Sequence, residues 1–210
     1  MEIFSREDLD VFTLPTTLQR LDAIENQLAP KLSALATELI DELAMTTGED
    51  LHAQLLSHTR RKKTPPEETW VALGPAQRNY KNEPFFAVAI SNNSVQVRVQ
   101  VWPECARKPA LGQLLVQRAE DLARNTQRLG ALREFIEWDH DGLPEPAPAA
   151  ETLFWSTLGG RVAEKKNARF DLGVGWKGAE ALRLDKVAIA EAIAQLMPLY
   201  HLLAFELWRF

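Results

Sequence analysis

The sequence predicts an α+β fold, and three observations carry the prediction. Leucines recur at helical spacing through the first 45 residues. A run of alternating valines, Val95, Val97, Val99 and Val101, gives the period of a strand. A long apolar segment from Asp185 onward gives a final helix. The expected order is a helical N-terminus, an antiparallel meander in the middle and a long C-terminal helix.

Ser5, followed by Glu7 and Asp8, suits the N-cap of a short helix over about 5–12. Leu18, Leu21, Ile24 and Leu28 form a second helical stripe, and Leu32, Leu35, Leu39 and Leu43 a third that ends near Gly48. Pro30 between them kinks one helix or separates two. Residues 51–57 read as a further helical turn. The texture changes at Thr64. TWVAL (69–73) and FFAVAI (85–90) read as strands, and Asn92-Asn93 as the tight turn into the valine strand. That strand carries Gln96, Arg98 and Gln100 on its other face.

Pro109 is well placed to open a helix bearing Leu111, Leu114, Leu115, Ala119, Leu122 and Ala123 on one side. Residues 132–138 read as a strand and 151–158 as a short helix capped by Gly159-Gly160. FDLGVGW (170–176) alternates like a strand, and Pro198 should kink or split the last helix. A length of 210 residues fits a single domain, with the Pro/Ala-rich stretch 141–150 as the place of any internal break.

Composition narrows the function classes. With 46% hydrophobic and 25% charged residues the chain is ordinary for a globular protein, not a disordered one. The net charge of −5 argues against a general nucleic-acid binder. Yet residues 51–110 hold nine Lys/Arg against four Asp/Glu, while the rest holds fifteen against twenty-five. A positive region on an acidic body steers an anion or acidic partner. One cysteine, Cys105, forbids an intrachain disulfide. The acidic N-terminus has no apolar signal region, and no apolar run approaches the length of a membrane span. The expectation is a cytoplasmic protein with no membrane partner and an open oligomeric state, LLAFELWRF at the C-terminus suiting either a core or a dimer face. No dinucleotide fingerprint, P-loop, nucleophile elbow or zincin motif occurs, and neither metal nor cofactor is expected.

One segment stands out: HTRRKKTPPEETW, His58 to Trp70. Arg60 and Arg61 lead four consecutive cations, and arginine's fork matches phosphate or carboxylate. Pro65 and Pro66 stiffen the link to the next strand. Arg78, Tyr80 and Lys81 follow in an eleven-residue loop, basic residues around an aromatic ring. The candidate anion-binding set is therefore His58, Arg60, Arg61, Trp70, Arg78, Tyr80 and Lys81. Glu104 is read as a surface charge, Asp139-His140-Asp141-Gly142 as a turn, and Cys105 as an ordinary thiol.

The same residues resemble the YktB-like family of uncharacterised bacterial proteins, with its H-A-R-R-x-x-N-P-P-x-D-T-W-V-A-F, R-G-Y-K and P-H-F motifs. His58, Arg60, Arg61, Pro65, Pro66, Thr69, Trp70, Arg78, Tyr80, Lys81 and Pro84 match. Thr64, Glu68, Asn79 and Phe85 stand where the family has Asn, Asp, Gly and His. The resemblance implies a single domain with a curved antiparallel sheet and helices on one side, and implies no activity. The favoured reading is a binding module for a nucleotide, a phosphorylated metabolite or a short nucleic-acid strand. One alternative is a structural or protein-interaction role, with Arg60 and Arg61 as a fold latch. The other is an enzyme on an anionic substrate, with Arg60 and Arg61 clamping charge and His58 or Glu104 moving protons. That third reading requires His58 and Glu104 to share one pocket.

Overall fold

Residues 2–47, 50–58, 64–136 and 138–206 are described by a computed structural model. The strands are β1 (His52–Leu55), β2 (Glu68–Gly74), β3 (Phe85–Ser91), β4 (Ser94–Val101), β5 (Arg133–Glu134) and β6 (Phe170–Lys177). They form one open sheet in the order β1-β2-β3-β4-β6-β5, each neighbouring pair antiparallel. The helices are α1 (Arg6–Asp10), α2 (Thr17–Ala23), α3 (Ala29–Thr47), α4 (Lys108–Gln117), α5 (Ala119–Asn125), α6 (Thr152–Glu164), α7 (Ala179–Leu182) and α8 (Lys186–Phe205). This is the α+β architecture that the sequence predicts.

Alternation in the strands builds the main core. Val95, Val97, Val99 and Val101 of β4 join Val71 and Leu73 of β2, Phe86, Val88 and Ile90 of β3, and Phe170 and Leu172 of β6 beneath the helices. Burying each such side chain contributes roughly 1.5–3 kcal/mol. α8 lies along β3 and β4, its Tyr200 ring stacked 4.5 Å from Phe86. The helix caps follow the sequence. The Asp185 carboxylate accepts from the Ala188 N–H at 3.0 Å, and the Asp8 carboxylate accepts from the Ser5 N–H at 2.7 Å. Buried Asp8 also accepts from Gln27 and Lys31, which ties α1 to the long helix.

The helical run is not interrupted at Pro30. A wide turn over Ile24–Leu28 joins α2 to α3, with the Ala29 N–H bonded to the Ile24 carbonyl. Such a turn absorbs the donor that proline lacks. Asn93 takes the left-handed conformation at φ 64°, as the Asn-Asn turn predicts. Pro198 does not split α8.

Four expectations are corrected. Residues 51–57 are not a helical turn: His52–Leu55 pairs with β2 as an edge strand, through Ala53 opposite Leu73 and Leu55 opposite Val71. Gly159-Gly160 does not cap α6, which runs through both. A Cβ on Gly112 would stand 2.6 Å from the Gly159 carbonyl, and one on Gly159 2.6 Å from the Gly112 carbonyl. These glycines let α4 and α6 touch backbone to backbone. α8 does have the length and composition to cross a membrane, contrary to the expectation that no stretch approaches it. More than half of it is buried against the sheet and α3, which accounts for its apolar character within the fold. Of 132–138, only Arg133–Glu134 pairs as a strand.

Candidate functional site: the second face of the sheet

The face turned away from the helices is polar at its centre. On β4 it presents Gln96, Arg98 and Gln100, with Ala89, Ala87 and Phe85 of β3 beside them and Gly175, Gly173 and Asp171 of β6 on the other flank. All three polar side chains are buried, Arg98 completely. Its Nη2 donates to Glu68 Oε2 of β2 at 2.6 Å, and its Nη1 lies 3.5 Å from Asp171 Oδ2. The guanidinium stands 5.7 Å from the Trp70 ring and 5.2 Å from the Phe135 ring. Gly173 makes this possible, since a Cβ there would fall 2.8 Å from Arg98 Cγ.

The network continues to the sheet edge. Gln100 Nε2 donates to Asp171 Oδ1 at 3.1 Å, and Trp102 Nε1 donates to Gln100 Oε1 at 2.7 Å. Arg169 lies 3.4 Å from Asp171 Oδ2 and donates to the Phe135 carbonyl at 2.9 Å. Burial, with the Glu68 charge adding to it, pushes the Asp171 carboxyl up to about 6 against the pull of Arg98 and Arg169. Burial alone would favour a neutral Arg98, but the Glu68 and Asp171 charges outweigh it and raise its pKa.

The segment after β5 covers part of this face. Phe135 lies over Arg98, and Leu143 closes on Gly175, where a Cβ would come within 2.6 Å of it. His140 reaches Glu67 at 3.5 Å, and Asn92 donates to Asp141 at 2.6 Å. The Asp139 carboxylate accepts from the Asp141 N–H, so the Asp-His-Asp-Gly stretch is the turn that the sequence predicts. Several buried polar atoms beneath make no hydrogen bond among the described residues: Arg98 Nε, Gln96 Oε1 and Trp138 Nε1, together with Arg98 Nη1 and Asp171 Oδ2, which meet only at ion-pair distance. Native interiors pair nearly all such groups, so a cluster of exceptions on one face is informative.

Of the sequence-predicted set, Trp70, Tyr80 and Lys81 come together here. Asn79 turns left-handed at φ 56°, a conformation glycine adopts freely and asparagine tolerates. This returns Tyr80 to the sheet, edge-on to Phe85 at 4.8 Å. Burial pushes the Tyr80 phenol up to about 12. Trp70 and Trp102 stand 6.1 Å apart, and Lys81 Nζ sits 3.6 Å above the Trp102 ring.

The other predicted residues go elsewhere. His58 is on the helical side, its Nε2 3.2 Å from Thr69 Oγ1. Arg78 is exposed in its loop. Arg60 and Arg61 lie outside the described residues. Glu104 is exposed beyond the end of β4, near Tyr80, whereas Thr69 and His58 are at the opposite end of the sheet. The acid–base pair that the enzyme reading required is therefore not assembled. Burial pushes the Cys105 thiol up despite Arg107, so it is no activated nucleophile. The neighbouring Lys108 is spent on the carbonyls of Val162 and Lys165 at the end of α6.

The centre of the face, Arg98 with Glu68 and Asp171, was not singled out from sequence. Its signal was present: a charged residue at the middle of an alternating strand, and an aspartate in the glycine-bearing strand FDLGVGW.

Comparison with known proteins adds the lineage. A family model described as "Domain of unknown function (DUF1054)" matches residues 4–200. A "UPF0637 protein" of Latilactobacillus sakei is 29% identical over 216 residues, covering 96% of this chain and 98% of the relative. One from Bacillus cereus is 27% identical over 209 residues with the same coverage. Another, from Staphylococcus carnosus, is 35% identical over 105 residues, half of this chain and 52% of the relative.

Proposed function

The chain belongs to the DUF1054 family, the YktB-like proteins of unknown function, and we propose that it is a binding module whose site is the second face of the sheet. One observation carries the reading: the buried polar atoms of Gln96, Arg98, Trp138 and Asp171 that the described residues leave without hydrogen bonds. Each such group costs about 1–3 kcal/mol if nothing pairs it. A bound molecule, or water that it displaces, would offset that cost.

The ligand we infer is anionic and carries a flat ring: a nucleotide, a phosphorylated metabolite or a short nucleic-acid strand. Lys81 and Arg169 are half-buried at the rim, and both sit against Trp102. This places positive charge beside an aromatic plane, the combination that base stacking and phosphate contacts use. We infer a cytoplasmic setting from the lone Cys105, which leaves no intrachain disulfide to maintain.

A structural reading is favoured by a different observation. Arg98 on β4 reaches Glu68 on β2 and Asp171 on β6, so it spans the middle of the sheet. The latch expected of Arg60 and Arg61 would then be Arg98. A thermal-shift screen against nucleotides, phosphorylated metabolites and short oligonucleotides, at low and physiological salt, separates the two. A ligand of the native state raises Tm by mass action. The binding reading expects a hit that Lys81→Ala and Trp102→Ala weaken at least tenfold and Arg78→Ala leaves intact. A flat screen with every polyanion would leave the latch.

A further inference from the structure

His58 is the predicted residue that the second face does not use, and it leads to a cavity on the opposite side of the sheet. The cavity has a volume of about 310 Å³. Its walls are apolar: Leu21 of α2, Ile24 of the wide turn and Ala29 of α3 on one side, Leu55 and Leu56 on the other. Its polar groups are few. His58 and Thr69 stand together, with Nε2 and Oγ1 3.2 Å apart, and both are buried. Glu25 borders the cavity as an exposed carboxylate.

We propose that this cavity is a binding site for a small neutral amphiphile. Its apolar body would lie between Leu21, Ile24, Leu55 and Leu56, and its one hydroxyl or amide would meet His58 and Thr69. Small-molecule sites are mostly apolar with a few placed polar groups and begin at about 300 Å³. A cavity of about 150 Å³ in another protein holds benzene, so this one suits a body of roughly ten non-hydrogen atoms. Glu25 disfavours an anionic head group by like charge. Leu55 is 38% exposed on the edge strand, an apolar surface that an occupant would cover. The wall at Ile24–Leu28 is a wide helical turn, a feature frequent at functional sites. Of its lining residues Leu56 also packs against the Trp70 cluster of the second face, whereas His58 and Thr69 belong to the cavity side, so variants at Ala29, Leu55 and Thr69 test the cavity alone.

The test is a titration of the isotope-labelled full chain with 1-octanol, and separately with octanoate, followed by backbone amide resonances. Octanol is expected to shift Ile24, Leu55, Ser57, His58 and Thr69 saturably, and octanoate to bind at least fivefold more weakly. Thr69→Val, nearly isosteric, should weaken octanol by roughly fivefold. Ala29→Phe fills the cavity and should abolish the shifts with Tm unchanged. Should that variant not fold, Leu55→Trp on the half-exposed edge provides the same block. Unmoved amides in the wild type would overturn the proposal. So would shifts that persist in the folded cavity-filling variant, or a preference for octanoate.

Discussion

The two faces of β4 make the central comparison. Toward the helices, Val95, Val97, Val99 and Val101 meet an apolar layer. On the other side Gln96, Arg98 and Gln100 are just as deeply buried. An alternating strand in an antiparallel sheet ordinarily buries one face and wets the other. Here both faces are interiors of different kinds. One is closed by dispersion and needs no partner. The other is covered by Phe135, Trp138 and Leu143, yet it retains polar atoms that make no hydrogen bond among the described residues. The proposed binding role rests on this difference between the two faces.

The largest expected effect is at Arg98. Arg98→Ala strips the buried carboxylates of Glu68 and Asp171 of their main counter-charge and should cost about 3–5 kcal/mol in urea unfolding. The triple variant Arg98→Met, Glu68→Gln, Asp171→Asn removes the charges together and should recover at least half of that loss. It should still be blind to any ligand of the second face. A triple variant as unstable as Arg98→Ala would assign the cluster to the fold. On the helical face, Val97→Ala should cost about 1–3 kcal/mol from the lost packing. Ligand affinity of the second face should stay within twofold of wild type by calorimetric titration.

A smaller effect is set by pH. The folded carboxyl of Asp171 titrates at about 6, above the roughly 3.9 of an unfolded aspartate. Its stabilising contribution is whole below the unfolded value and is lost as pH rises through the folded one. Lowering the pH from 7 to 5 should therefore add about 1 kcal/mol through this group. Asp171→Asn should flatten the profile in that window, and an unchanged profile would remove Asp171 as its source. The smallest effect is expected at exposed Arg78, where alanine should leave stability within about 0.5 kcal/mol.

What the sequence made legible was local. The period of 95–101 gave both faces of β4, Asn92-Asn93 gave the turn, and Ser5 and Asp185 marked helix starts. What it hid was set by distant partners. β1 is four residues long and exists because β2 lies beside it. Gly159 looks like a helix stop until Gly112 is found against it. The segment HTRRKKTPPEETW looks like one site, but strand alternation sends Thr69, and His58 with it, to one face and Trp70 with Glu68 to the other. Arg98 was placed on the correct face but not recognised as its centre, because its partners come from positions 30 residues before and 73 after it.

The most direct test uses the indole N–H groups as reporters of the two faces. Trp138 Nε1 is on the second face with no partner among the described residues. Trp155 Nε1 is buried on the helical side and donates to the Ala149 carbonyl at 2.7 Å. The strongest binder of the anionic panel is titrated into isotope-labelled protein, with the indole resonances assigned by Trp→Phe variants. The account predicts that the Trp138, Trp70 and Trp102 signals move saturably while Trp155 stays fixed. Movement of Trp155 with a silent Trp138 would contradict it, as would a panel that moves none of them.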